Sequence, residues 1–133
     1  FLKQIDESKF SYRYAIDKWT LRQSLIHVMD TEMIFAYRAL CIARGEQNPL
    51  PGFDENLYAE NMDDLDTYSN QNLIEDYLLV RKNTIQLFNR LSAESLIKIG
   101  KCNGYEMQQA TLGFAIIGHE QHHFKLITER YLN

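Results

Sequence analysis

Hydrophobic positions along this chain fall into three long helical patterns. From Thr20 to Arg44 the run TLRQSLIHVMDTEMIFAYRALCIAR is apolar nearly all round and free of Gly and Pro. It predicts one long helix, with Thr20 placed to cap its start and Gly45 to end it. From about Asn70 to Leu91 the apolar residues Leu73, Tyr77, Leu78, Ile85, Phe88 and Leu91 recur mostly at intervals of three and four, the signature of an amphipathic helix. Gln108 to Tyr131 reads as a third helix despite Gly113 and Gly118, and a short helix is expected from Leu2 to about Ser8.

Between these patterns lie two breaks. The stretch GEQNPLPGFDENLYAENMDDLD carries both prolines and Gly52, and predicts a long ordered loop or a short helical excursion. Loops of that length in a compact domain usually carry function. The segment SAESLIKIGKCNGYEM, with Gly100 and Gly104, reads as a connection, and no strand alternation stands out. Long helices joined in this way predict an all-α fold, a four-helix up-down bundle, in which metal and cofactor sites are built from side chains on facing helices. Its first helix is expected to be largely missing from this chain, which begins at Phe1, with Leu2 to Ser8 as that helix's tail.

Composition narrows the partners. A chain of 133 residues that is 45% hydrophobic suits one domain over residues 1–133. Its apolar runs fall far short of the roughly 20 residues that cross a bilayer, and no basic leader precedes one, so no membrane or secretory segment is expected. A net charge of -4 with 14 dispersed Lys and Arg residues offers no basic stripe for a phosphate backbone, which argues against nucleic acid. Cys41 and Cys102 stand outside any CxxC pattern, so a reducing, cytoplasmic location is the default expectation. An open groove left by a missing helix would favour pairing with a second copy as a homodimer.

Histidine placement carries the chemistry. Three of the four histidines crowd into Gly118-His119-Glu120-Gln121-His122-His123 on the last predicted helix. At about 100° per residue, His119 and His123 lie roughly 40° apart, on a face shared with Leu112, Ile116 and Leu126, so both rings should point into the core. His122 falls toward the edge, and Glu120 toward solvent or a neighbouring helix. The fourth, His27, sits on the first long helix in a narrow polar line with Ser24, Asp30, Thr31 and Arg38. A lone buried histidine is usually a hydrogen-bonded core residue, and such a polar line costs about 1–3 kcal/mol per unsatisfied group when buried against plain core. Two imidazoles side by side disfavour each other's protonation, and a cation that accepts both lone pairs resolves the conflict. With His27 as third ligand, the geometry of an open catalytic site becomes available. Imidazole suits several divalent ions, zinc and nickel foremost among those expected.

Two familiar motifs match His119 to His123 without their context. HExxH is present literally, yet zinc proteases of that type take a third ligand downstream, and only ten residues remain to Asn133. The ExxH of di-iron bundles is also present, but no second ExxH accompanies it.

The sequence resembles the DinB-like superfamily of metal-dependent enzymes over nearly its whole length. The resemblance rests on Lys18-Trp19-Thr20, on Leu25-Ile26-His27-Val28-Met29-Asp30-Thr31-Glu32 running into Phe35-Ala36-Tyr37-Arg38-Ala39-Leu40, on Ala43-Arg44-Gly45 with Pro49-Leu50-Pro51-Gly52-Phe53-Asp54-Glu55-Asn56, and on Gly118-His119-Glu120 through Glu129-Arg130-Tyr131-Leu132. It implies a four-helix bundle that holds a divalent metal through His27, His119 and His123. Family members include transferases that use bacillithiol, mycothiol or glutathione, and others regarded as hydrolases. The expected activity is therefore transfer of a low-molecular-weight thiol to a small electrophile. The alternatives are a metal-dependent hydrolase of small molecules and a non-catalytic, metal-stabilised interaction module. Asp30, Thr31 and Arg38 are candidates to orient a ligand histidine or the substrate.

Overall fold

A computed structural model describes residues 1–62, 65 and 68–132. Asp63, Asp64 and Asp66 of the expected long loop lie outside the described residues. The three long helices are α1 (Leu21–Ala43), α3 (Asn70–Asn89) and α5 (Gln109–Arg130), with short α2 (Glu55–Glu60) and α4 (Ala93–Leu96) between them. Leu2 to Ser8 is not one short helix but part of two 3-10 turns, Leu2–Gln4 and Glu7–Ser11.

Helix ends follow their caps. The Thr20 side chain accepts from the Gln23 backbone N–H while the Gln23 side chain accepts from the Thr20 N–H, a reciprocal capping box that starts α1. Ser69 caps α3 at Asn72, and Asp54 caps α2 at Asn56 and Leu57.

Helix α1 is the centre of the molecule, packing most extensively on α5 and next on α3. Its nearly continuous apolar surface follows from this, because two helices cover it. The core divides into two clusters along the bundle axis. One gathers Phe10, Leu21, Leu25, Met29, Leu73, Ile127 and Tyr131, and the other Ala36, Ala39, Ile42, Leu50, Leu87, Cys102 and Leu112. On α5 His119 and His123 fall between Leu112 of the second cluster and Ile127 of the first, and on α1 His27 falls between Leu25 and Met29 of the first.

The 92–107 connection is more ordered than its composition suggests. Strands β1 (Ile99–Cys102) and β2 (Tyr105–Gln108) pair antiparallel, with Cys102 opposite Tyr105. Asn103 and Gly104 turn the chain at φ of 52° and 81°, the left-handed pair that a tight hairpin requires. The hairpin anchors the proline loop: the Leu50 N–H donates to the Lys101 carbonyl at 2.8 Å, and the Asn103 N–H donates to the Leu50 carbonyl at 2.9 Å. Arg38, buried on α1, fastens the same loop by donating to the Pro51 carbonyl at 2.7 Å. The loop then delivers α2 to the side of α1.

Between α3 and α5 runs an apolar groove of about 500 Å³, bordered by Ile85, Phe88, Phe114 and Ile117. Phe114 is 75% exposed there. No described helix is long and apolar enough to cross a membrane.

Candidate metal centre

Helices α1 and α5 face each other along most of their length, so residues one turn apart on α5 meet a single residue of α1. His27 projects from α1 between His119 and His123, with ring centroids 4.9 and 4.8 Å away, and those two rings are 4.5 Å from each other. One nitrogen from each ring can be chosen so that all three lie within 4.8 Å of one another. The Nε2 atoms of His27 and His119 are 3.0 Å apart, one ring N–H donating to the other.

Burial controls their protonation. Each of the three has its pKa lowered to about 4, first because burial disfavours the imidazolium and then because neighbouring histidines repel a second charge. The Glu55 carboxylate, in the first turn of α2, opposes the shift at His27. At neutral pH the three rings are therefore uncharged and hold lone pairs available to a cation.

The donor set fits a divalent ion. Bonds of about 2.0–2.1 Å in a tetrahedral shell place nitrogens roughly 3.3 Å apart, close to the separation already present between His27 and His119. Three nitrogens fill three positions and leave at least one open.

Supporting contacts hold the rings. The Trp19 ring lies 4.9 Å from that of His27. Trp19 is in turn fixed by Tyr131, whose O–H donates to the Trp19 carbonyl at 2.8 Å and accepts from Ser24 at 3.2 Å. Beside His123 opens a cleft of about 230 Å³, walled by Tyr14, Trp19 and Leu126 and rimmed by Lys18 and Asn56.

The other residues singled out in the sequence have varied places. His122 is exposed on α5, its ring 5.3 Å from that of His123, and it is outside the three-nitrogen group. Ser24 holds Tyr131, and Arg38 holds the proline loop, with its guanidinium over the Phe35 and Phe53 rings. Asp30 is half-buried, and burial pushes its carboxyl upward. Thr31 is buried, and its hydroxyl has no partner among the described residues.

The buried polar residues of α1 extend beyond the expected line, because Glu32 is also buried, at 3% exposure. It binds Arg81 of α3, which also binds Glu120, the residue after His119. Helical spacing alone gives no sign that a charge on α3 meets these two. A glutamate inside an otherwise apolar run was the available hint, since buried carboxylates need partners.

The model of the DinB superfamily matches residues 1–127. The chain belongs to the DinB superfamily. Its fold is also that of YfiT from Bacillus subtilis, described as "a probable metal-dependent hydrolase with an unusual four-helix bundle topology". The TM-score is 0.78 at 20% identity, and the alignment covers 96% of this chain and 76% of YfiT. A search of curated proteins finds no match. At this identity the likeness to YfiT establishes the four-helix-bundle fold alone.

Proposed function

We propose that this DinB-superfamily chain is a metal-dependent enzyme that joins a low-molecular-weight thiol to a small electrophile. The observation that carries the reading is the convergence of His27, His119 and His123, uncharged at neutral pH, beside a cleft with room for a small molecule. A divalent ion, zinc or nickel, held by the three ring nitrogens would supply Lewis acidity and lower the pKa of a thiol or water at its open position.

The chain's own residues do the rest. His27 arrives from α1 and the other two from α5, so the ligand set is as rigid as the best-packed helix pair in the molecule. Trp19 closes one side of His27 against solvent, while the Tyr14 and Leu126 walls give an electrophile an apolar seat next to His123. The glutamate of the HExxH match is turned away and bound to Arg81, so it is not available as a base. Thiol transfer tolerates this, because a thiol that reaches the site as thiolate needs no separate group to take its proton.

A second reading, hydrolysis of a small molecule, is favoured by Glu55. Its carboxylate lies within electrostatic range of His27, and hydrolysis requires a group that accepts a proton from water. The likeness to YfiT, described as a probable metal-dependent hydrolase, suits this reading too.

The discriminating experiment incubates zinc- or nickel-loaded protein with a panel of small thiols and a chromogenic electrophile, alongside a panel of esters and amides. Thiol-dependent consumption of the electrophile that disappears in His123→Ala and persists in Glu55→Gln supports transfer. Thiol-independent turnover of an ester or amide, lost in Glu55→Gln, replaces it with hydrolysis.

A further inference from the structure

The three histidines come from two helices, so the site exists only while α1 and α5 keep one separation and one register. Both helices carry a carboxylate near the ligands, Glu32 five residues beyond His27 and Glu120 next to His119. Glu32 is 3% exposed and Glu120 14% exposed in their side chains, and like charges so placed repel.

One guanidinium answers both. Arg81 donates from Nε to Glu32 Oε1 at 2.9 Å and from Nη2 to Glu32 Oε2 at 3.0 Å. It also donates from Nη2 to Glu120 Oε1 at 2.8 Å and from Nη1 to Glu120 Oε2 at 3.3 Å. Both forks are bidentate, the arrangement in which arginine fixes distance and orientation as well as charge. Among the described residues, it is the only side chain from another helix that forms an ion pair with α5. The other α3–α5 contacts are apolar, Tyr77 stacked on Phe124 and Phe88 against Gly113, and Arg81 stands at the edge of the apolar groove between them.

We propose that Arg81 is a positioning residue of the metal centre, clamping Glu32 of α1 and Glu120 of α5 so that His27 and His119 stay at ligand distance. The proposal rests on the metal-centre reading. Among the described residues, the Arg81 guanidinium bonds to Glu32 and Glu120 and to neither ligand ring, so it has no catalytic part. Without it, two carboxylates face each other across the helix pair that carries the site, and their repulsion opens the spacing. Metal sites lose affinity steeply when ligands drift by fractions of an ångström.

The test measures zinc affinity by competition with a chromophoric chelator, and the melting temperature of the metal-free protein, for wild type, Arg81→Met and Arg81→Lys. Gly100→Ala, which perturbs packing on Ile42 at the hairpin, serves as a control for stability loss away from the site. The expected result is affinity weakened tenfold or more in Arg81→Met, weakened less in Arg81→Lys, and unchanged in Gly100→Ala. If Arg81→Met does not fold, Arg81→Lys decides alone, and a weakened affinity in it supports the clamp. Wild-type affinity in a folded Arg81 variant overturns the proposal and leaves the metal centre standing. Failure of the wild-type protein to bind zinc or nickel overturns the metal centre itself, and the clamp with it.

Discussion

An imidazole can serve a metal only while its lone pair is free, and the three rings here keep theirs down to about pH 4. The same property sets an acid limit on the metal-free fold. In the unfolded chain these histidines titrate near their ordinary 6.5, so between about 6.5 and 4 the unfolded state binds up to three more protons than the folded one. Their contribution to stability is fully present above pH 6.5 and is lost as pH falls toward 4. Asp30 and Glu120, whose carboxyls are pushed upward by burial, act in the opposite sense over part of that range. The clean measurement is therefore a comparison: thermal unfolding of metal-free wild type and of the triple variant His27→Gln/His119→Gln/His123→Gln at pH 7.5, 6 and 5. Wild type is expected to lose more melting temperature on acidification than the variant, and equal losses would contradict the assigned shifts. The three histidines that the structure brings together were legible in the sequence because the i, i+4 spacing on α5 and the polar line on α1 are local signals. Arg81 was not, since its partners are 49 and 39 residues away in sequence.

Local signals also governed what could be read of the elements. Helix α1 begins and ends within a residue or so of its expected bounds, because Thr20 and Gln23 satisfy each other without help from the rest of the chain. The hairpin was missed for the complementary reason. Its strands are four residues each and mostly exposed, and the covered positions, Gly100, Cys102 and Met107, are too few and include a glycine, so the sequence carries no readable alternation of apolar and polar residues. The Asn103-Gly104 pair is the one local sign of a tight turn, and a glycine by itself marks a connection of any kind. Tertiary contact then holds the strands: a Cβ on Gly100 would lie 2.4 Å from Cγ1 of Ile42, so β1 lies nearly against the α1 backbone's side chains. Gly100→Ala must displace a buried isoleucine and is expected to cost about 1–3 kcal/mol, as overpacking usually does. Chemical denaturation would show it as a lower midpoint with an unchanged slope, and an unchanged midpoint would mean that the hairpin yields freely.

At the level of the whole molecule, the site lies in the contact of α1 with α5, with His27 between Leu25 and Met29 of the first apolar cluster and the α5 pair between Leu112 of the second and Ile127 of the first. Tyr131, buried at 3% exposure, ties the C-terminal end of α5 to Trp19 and Ser24. Tyr131→Phe leaves the Trp19 carbonyl and the Ser24 hydroxyl short of a partner and is expected to cost about 1–3 kcal/mol. Calorimetry on the metal-free protein reads this directly, and a melting temperature equal to wild type would show that the tie contributes nothing. The general architecture was legible because three long periodic segments admit few arrangements other than a bundle, whereas the order of packing, with α1 at the centre, depends on which faces meet and no single helix records it.

The central claim is that one metal ion sits on three histidines drawn from α1 and α5. Elemental analysis of protein equilibrated with zinc or nickel and then freed of loosely held ions tests it most directly, with the triple His27→Ala/His119→Ala/His123→Ala variant beside it and circular dichroism to confirm that both are helical. One equivalent of metal per chain in wild type and none in a folded variant is the predicted result. A wild type without metal, or a variant that retains its full equivalent, would contradict the account.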